Sequence, residues 1–219
     1  VDSLPNPTQA EYEKHLLYLQ GVDLSYLVAE SVEEPTVNNV TFLPTARYNT
    51  SAASVGTNCY VFGGYDSSSL SDIIKFDTVS QTATKLLAVL PTARSSTGAA
   101  SVGTNCYVFG GSSLSDIIKF DTVSQTVTKL SAVLPSVKVS ISAAAVGTNC
   151  YVFGGGTASN VFTRDIIKLD TVSQTITKLS VRLPSERKYT SAATVGTNCY
   201  VFGGSNSGGN VSDVGKVSF

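Results

Sequence analysis

Short stretches of the chain alternate between two kinds of side chain with a period of two residues. In residues 59–62, Cys and Val fall on one face and Tyr and Phe on the other, so both faces are apolar. This pattern predicts a strand in a sheet that is covered on both sides. The small residues 51–55 before it, and residues 72–76 and 82–90 after it, predict three more strands, with turn-forming Gly, Asn, Asp and Ser between them.

This four-strand unit returns along the chain. Residues 55–64, with the sequence Val-Gly-Thr-Asn-Cys-Tyr-Val-Phe-Gly-Gly, recur almost unchanged at 102–111, 146–155 and 195–204. The closing glycine pairs are 47, 44 and 49 residues apart. A period of this length, written in short strands, predicts an all-β fold of the β-propeller type, in which each unit forms one blade.

The two ends of the chain interrupt the repeat within a unit. Residues 36–43 match a fourth strand with no first or second strand before it, and the last unit stops after its third strand. Joining these ends predicts four blades closed by the N- and C-terminal strands. One strand is then surplus, because residues 23–31 and 213–219 are both candidates for the third position of the closing blade.

A short helix is predicted outside the repeat. Asn6 and Pro7 form a helix start, and Tyr12, Leu16 and Leu19 follow at helical spacing. We therefore expect residues 1–31 to carry the helix and the extra strand, and residues 32–219 to form the propeller. The helix caps one face of the propeller or contacts a partner, and the sequence leaves both alternatives open.

Several motifs recur in a fixed order in each complete unit: Gly-Gly, then Phe-Asp or Leu-Asp, then Lys-Leu, then Leu-Pro with a basic residue three positions later. Over residues 36–219 this order resembles the kelch repeat. The resemblance implies a kelch-type propeller that binds partners through one face and performs no catalysis. Kelch repeats usually carry Trp six positions after the Asp, where this chain has Ala83, Val127 and Ile176. We expect thinner packing between blades as a result.

The four cysteines occupy the same place in the four units: Cys59, Cys106, Cys150 and Cys199. Strands related by rotation about a propeller axis keep these positions roughly 14 Å apart, beyond the reach of a disulfide. We therefore expect four buried free thiols. Free thiols favour a reducing compartment, whereas low charge and many Ser and Thr residues favour secretion, so both localisations stay open.

Composition argues against several function classes. The net charge is −1 and only 14% of residues are charged, so no strong field favours nucleic acid. No apolar run approaches the roughly 20 residues of a membrane span. The single histidine, His15, precedes the repeat, so we expect no His-based catalysis, no metal and no cofactor. Asp77, Asp121 and Asp170 fit turns rather than a reaction centre.

The candidate binding site is a ring of cations three positions past each Leu-Pro pair: Arg47, Arg94, Lys138 and Arg187. The kelch resemblance implies that this face receives the partner, and four cations there would suit a protein with an acidic segment or another anionic ligand. In the alternative, each cation pairs locally with a carboxylate. Tyr48, Tyr65, Tyr189 and Asn206 are expected to flank the ring.

Two functions follow from these patterns. The first is a non-enzymatic binding scaffold that recognises a protein or anionic ligand through this face. The alternative is a self-assembling structural subunit, a homo-polymer or filament joined by exchange of a terminal strand or helix, because the surplus strand would otherwise leave its backbone unpaired.

Overall fold

The computed structural model describes residues 39–157, 159 and 161–219. The chain divides into two compact units, Val1–Asn38 and Asn39–Phe219, and only the second contains described residues. The predicted helix, the predicted strand at 23–31 and the boundary at residue 31 lie outside this part and stay predictions.

The described part is all-β and forms four blades, as the repeat predicts. Blade I contains β1 (Ser51–Val55), β2 (Asn58–Phe62), β3 (Asp72–Asp77) and β4 (Thr82–Val89). Blade II contains β5 (Gly98–Val102), β6 (Asn105–Phe109), β7 (Asp116–Asp121) and β8 (Thr126–Val133). Blade III contains β9 (Ser142–Val146), β10 (Asn149–Phe153), β11 (Asp165–Asp170) and β12 (Thr175–Arg182). Blade IV contains β13 (Ser191–Val195), β14 (Asn198–Phe202) and β17 (Val214–Ser218), with a small hairpin, β15 (Ser205–Asn206) and β16 (Gly209–Asn210), before β17.

Neighbouring strands within a blade are antiparallel and follow chain order. The turn between the third and fourth strands is held by its aspartate: the Asp77 carboxylate accepts hydrogen bonds from the backbone N–H groups of Val79 and Ser80, at 3.0 and 3.1 Å. Asp121 and Asp170 do the same in blades II and III. Their predicted structural role is therefore confirmed.

Adjacent blades bury opposite sides of their second strands against each other. Tyr60 and Phe62 of blade I pack in one cluster with Cys106 and Val108 of blade II. The same pairing recurs between blades II and III and between blades III and IV. Cys106, Cys150 and Cys199 contribute to these clusters as small apolar groups. All four cysteines are free, as predicted, but Cys59 is only part-buried, because the described residues place no blade against its side of blade I. Burial raises the pKa of Cys106 and Cys150 to about 12, which keeps both thiols protonated.

The innermost strands lie side by side in the order β1, β5, β9, β13. They line a shared axial groove of about 310 Å³ whose walls are mostly alanine. Each inner strand contacts the next, but β13 has no comparable contact with β1. Within the described residues, the blades therefore form a row around an axis that is open between blade IV and blade I.

The predicted closing strand does not form from residues 39–43, which have no strand structure and are exposed. Blade IV consequently has three strands in the described part of the chain. The repeat offers a physical reason. Leu86 and Leu130 anchor the fourth strands of blades I and II and are buried. Counted back from the Leu-Pro pair, the corresponding residue near the N-terminus is Asn39, a polar group that is costly to bury without partners.

Glycine-to-alanine substitutions should distinguish backbone strain from close packing. Gly103 and Gly110 have nearly equal positive φ angles, 58° and 54°. A Cβ at Gly103 would meet nothing within 4 Å, whereas one at Gly110 would lie 2.7 Å from the carbonyl oxygen of Lys138. Gly103→Ala should cost about 1 kcal/mol of unfolding free energy. Gly110→Ala should cost about 1–3 kcal/mol more through overpacking. Urea denaturation of both variants measures the difference, and equal costs would show that the close approach is unimportant.

Candidate functional site

The predicted ring residues lie inside the blades. The side chains of Arg47, Arg94, Lys138 and Arg187 are all 0% exposed. Each forms an ion pair with the aspartate at or just before the start of its own blade's third strand. These partners are Asp72, Asp116, Asp165 and Asp213.

Blade II shows what the arginine does. Arg94 donates from Nε to the carbonyl of Thr92 at 3.1 Å, from Nη1 to the carbonyl of Gly110 at 3.1 Å, and from Nη2 to Asp116 at 3.3 Å. The guanidinium thus ties the loop entering the blade to the glycine pair and to the third strand. Arg47 and Arg187 make the equivalent contacts in blades I and IV.

We call each buried cation together with its paired aspartate a clamp. The aspartate of the clamp pairs with a second cation, which comes from the fourth strand. Lys129, whose side chain is half exposed, lies 3.2 Å from Asp116. Burial alone would raise the pKa of the Asp116 carboxyl, but the hydrogen bonds from Lys129 and Arg94 outweigh it, and the pKa lies below its usual range. Asp72 and Asp165 have the same arrangement, with Lys85 and Lys178. Asp213 pairs with Arg187 alone, because the described part of blade IV has no fourth strand.

Blade III carries a matched pair of substitutions in the clamp. Lys138 is shorter than arginine and donates to the hydroxyl of Thr163 at 2.6 Å, while its Nζ lies 3.5 Å from Asp165. The Thr163 hydroxyl in turn donates to the carbonyl of Gly154 at 2.9 Å, the group that arginine bonds directly elsewhere. Thr163 replaces the leucine of blades I and II, so the hydroxyl bridges the gap that the shorter lysine leaves. Burial lowers the pKa of Lys138, and the Asp165 carboxylate opposes that shift.

These contacts support the local-pairing alternative for the four cations. A buried, paired guanidinium presents little charge to a partner, and removing it from its carboxylate would leave an uncompensated charge. Sequence spacing placed the four residues at equivalent positions correctly, but the expected exposed ring does not form.

The residues predicted to flank the ring are on the surface. Tyr48 and Tyr189 are 59% and 60% exposed. Tyr48 exchanges two backbone hydrogen bonds with Tyr65, at 3.0 and 2.9 Å, and their ring centroids are 5.4 Å apart. The loop that enters blade I is thereby joined to the loop between β2 and β3.

A second aromatic group lies where blades III and IV meet. The Lys188 ammonium is 4.8 Å from the ring centroid of Phe162 and 4.9 Å from that of Tyr189, within the range of cation–π attraction. Asn206 belongs to the β15–β16 hairpin, and its side chain accepts a hydrogen bond from the Gly208 N–H at 2.8 Å. Asn206 therefore shapes the hairpin turn. We call the surface formed by Tyr48, Tyr65, Phe162, Lys188 and Tyr189 the loop face.

Blade III also carries a polar cleft of about 470 Å³ beside this surface, which the repeat pattern does not predict. Its lining includes two exposed arginines, Arg164 and Arg182, together with Phe162, Asp165 and Glu186. Blade II has Ser115 and Val133 at the positions of the two arginines. Comparing the near-identical repeats residue by residue could have found the cleft, because blade III departs from the others there.

Neither arginine of the cleft has an ion-pair partner among the described residues. Asp165 is already held by Lys138 and Lys178. Within the described part of the chain, Glu186 accepts a hydrogen bond only from the hydroxyl of Ser207, at 3.4 Å. Two unpaired guanidinium groups thus face one weakly engaged carboxylate. The cleft suits an anionic group with oxygen acceptors.

Within the described residues, no group of three His, Cys, Asp or Glu side chains is placed to hold a metal ion. In the same part of the chain, no helix has the length and apolar character required to cross a bilayer.

Replacing the buried arginine should destabilise the fold far more than removing its exposed neighbour. Arg94→Leu leaves the part-buried Asp116 with only one of the two cations described here, Lys129. The substitution should lower the unfolding free energy by about 3 kcal/mol or more. Lys129→Ala removes the exposed cation of the same carboxylate and should cost less than about 1 kcal/mol. Chemical denaturation of the two variants gives both values. Equal small effects would show that Arg94 is not a structural clamp.

The clamps also predict acid sensitivity. The pKa values of Asp72, Asp116, Asp165 and Asp213 lie below the ordinary value of 3.8 in the folded state. Carboxyls with a depressed folded pKa stabilise the fold fully above their unfolded pKa and lose that stabilisation as the pH falls through the folded value. The unfolding free energy should therefore hold steady down to about pH 5 and fall steeply below 3.8. Asp116→Asn should flatten the decline, and an unchanged slope in that variant would contradict this account.

The comparisons with known proteins agree with this fold. No curated protein sequence matches the chain. Among solved structures, the chain is similar to one titled "Structure of YjhT", with a TM-score of 0.72 and 17% identity over 83% of this chain. The match spans 66% of that structure's chain, and at this identity it shows the fold alone. A model of kelch repeats, described as the KLHDC2/KLHL20/DRC7 Kelch-repeats domain, matches residues 19–134 and 112–218. Because these matches cover most of the chain, the protein belongs to the kelch-repeat family.

Proposed function

We propose that this kelch propeller is a non-enzymatic binding module that holds a segment of a partner protein on its loop face. The kelch propeller fold itself suggests a protein-binding or scaffold role. The loop face adds the specific groups that such a role needs, on a support that the blades keep rigid.

The exposed tyrosines carry this proposal. Tyr48 and Tyr189 each leave well over half of their surface in water, although the backbone of both loops is fixed by hydrogen bonds to neighbouring loops. Large aromatic side chains on a rigid surface lose little conformational entropy on binding and often dominate interface energies. A folded protein gains nothing by itself from exposing them in this way.

The loops supply specificity because they differ where the strands do not. The second strands of the four blades have the same sequence, Asn-Cys-Tyr-Val-Phe. The loops after them differ in length and contain the hairpin in blade IV and the cleft in blade III. Variable loops on a constant scaffold are where binding specificity is usually placed.

The cleft accounts for an anionic component of the ligand. Arg164 and Arg182, which have no ion-pair partner among the described residues, take the role expected of the ring, since the ring residues already pair within their blades. With Glu186 also present, the unpaired charge is about one positive unit. A single carboxylate on the partner segment would match it.

A peptide selection tests the proposal. Random peptides would be selected on the wild-type chain, and the affinities of individual selected peptides would then be measured. Tyr48→Ala and Tyr189→Ala should each weaken binding by about tenfold or more, as expected for an interface aromatic. Val79→Ala and Val172→Ala provide the controls, because these valines are even more exposed than the tyrosines but lie on the turns between third and fourth strands.

The charged part of the site has its own control. Arg164→Ser and Arg182→Val install the residues that blade II already carries at these positions, so folding should be preserved. Both substitutions should lower the affinity for peptides that contain Asp or Glu and leave the affinity for neutral peptides unchanged. Selected peptides whose binding survives both tyrosine substitutions would overturn the proposed face.

A further inference from the structure

The two ends of the blade row expose opposite halves of one interface. Inside the row, the Tyr/Phe side of each blade is covered by the Cys/Val side of the next. The last blade has no described neighbour on its Tyr/Phe side. Phe202 is 43% exposed, whereas its equivalents in the other blades, Phe62, Phe109 and Phe153, are 0% exposed.

The third strand of blade IV shows the same change. Val214 is 56% exposed, while Ile73, Ile117 and Ile166 at this position are fully buried. At the other end, Cys59, Val61 and Phe76 on the Cys/Val side of blade I are part-exposed. Their counterparts in blade II are fully buried. Ile74, on this same side, is already covered, so the blade I end is open only in part.

The backbone at the two ends is complementary as well. Between consecutive blades, the second glycine of each pair donates its N–H to the carbonyl of the next clamp residue. These bonds are Gly64 to Arg94, Gly111 to Lys138 and Gly155 to Arg187, at 2.8 to 2.9 Å. Among the described residues, the N–H of Gly204 and the carbonyl of Arg47 have no such partner.

Two more bonds repeat in the same way. The N–H of Arg94 donates to the carbonyl of Leu70 at 2.9 Å, and the N–H of Ser96 donates to the carbonyl of Asn49 at 2.8 Å. The corresponding groups left over in the described part are the N–H groups of Arg47 and Asn49 at one end. At the other end they are the carbonyls of Val211 and Tyr189. Each of these donors, unpaired among the described residues, thus has a matching unpaired acceptor at the opposite end of the blade row.

We propose that a second copy of this chain docks head to tail, with its blade I on the Tyr/Phe side of blade IV. The contact would reproduce an interface that the chain already forms three times between its own blades. The contact between the two copies would consist of apolar side chains and of the three backbone hydrogen bonds described above. This contact is formed entirely by residues that the structure describes. It differs from the strand exchange expected from the sequence, because most residues of that exchange lie outside the described part. Reciprocal contacts between two copies would bring together eight blades, a number that propellers accommodate, and non-reciprocal contacts would extend a chain of copies.

Sedimentation of the full chain over a broad concentration series tests the contact. The wild type should associate in a concentration-dependent manner. Phe202→Asp should weaken association by about thirtyfold or more, as for a central interface aromatic. Val61→Asp, on the opposite end, should do the same. Val172→Asp, on an exposed turn of blade III, which is not an end blade, should leave association unchanged.

Mixing the two end variants gives the sharpest result. In a head-to-tail contact, the Phe202→Asp chain keeps a sound blade I and the Val61→Asp chain keeps a sound blade IV. Each should be monomeric alone, and the mixture should form a one-to-one dimer. Val214→Asp can replace Phe202→Asp, and circular dichroism checks the fold of each variant. A wild type that stays monomeric at every concentration, or a mixture of folded variants that stays monomeric while the wild type associates, would overturn the proposal.

Discussion

Every blade of this protein depends on a neighbour, because its sheet is apolar on both sides. The second strand places Tyr and Phe on one side and Cys and Val on the other, and in the middle blades all four side chains are buried. A single blade on its own would leave both of these apolar sides in water. Repeat proteins generally gain their stability from such neighbour contacts, and in this chain the contacts also determine which surfaces remain exposed at the two ends.

The buried cations solve a second problem of the same architecture. The loop that enters each blade must be held against the glycine pair and the third strand. Arginine does so with three donors in a rigid planar group, which lysine cannot match. In blade III, the Thr163 hydroxyl connects the shorter Lys138 to the carbonyl of Gly154 through two hydrogen bonds. The four buried cations therefore stabilise the blades, and their charge is not available to a ligand.

The groups on which the proposed binding function rests are concentrated where the repeats differ. The strands, the clamps and the Asp turns are shared by the blades, so they describe the scaffold. Tyr48, Tyr189 and the arginines Arg164 and Arg182 lie in or beside loops that change from unit to unit. A cleft with two arginines and an aromatic surface thus become adjacent on one face, although neither belongs to the repeated pattern.

The sequence by itself determined the strands, the turns, the number of blades and the free thiols. These features follow from local periodicity and from a repeat that returns four times, and both are properties of the chain order alone. The orientation of the four clamp cations was decided by the tertiary structure. An arginine three residues after Leu-Pro has the same spacing whether it faces solvent or an aspartate, and only the path of the loop over its own blade selects between them.

The same distinction explains the ends of the blade row. A fourth-strand pattern before blade I predicts closure of the ring, but closure also requires blade IV to meet blade I around the axis. That meeting depends on the angle between blades, which is set by side-chain packing across three interfaces and is invisible in the repeat. A single polar residue, Asn39, at the position of a buried leucine was the local signal that the closing strand would be weak.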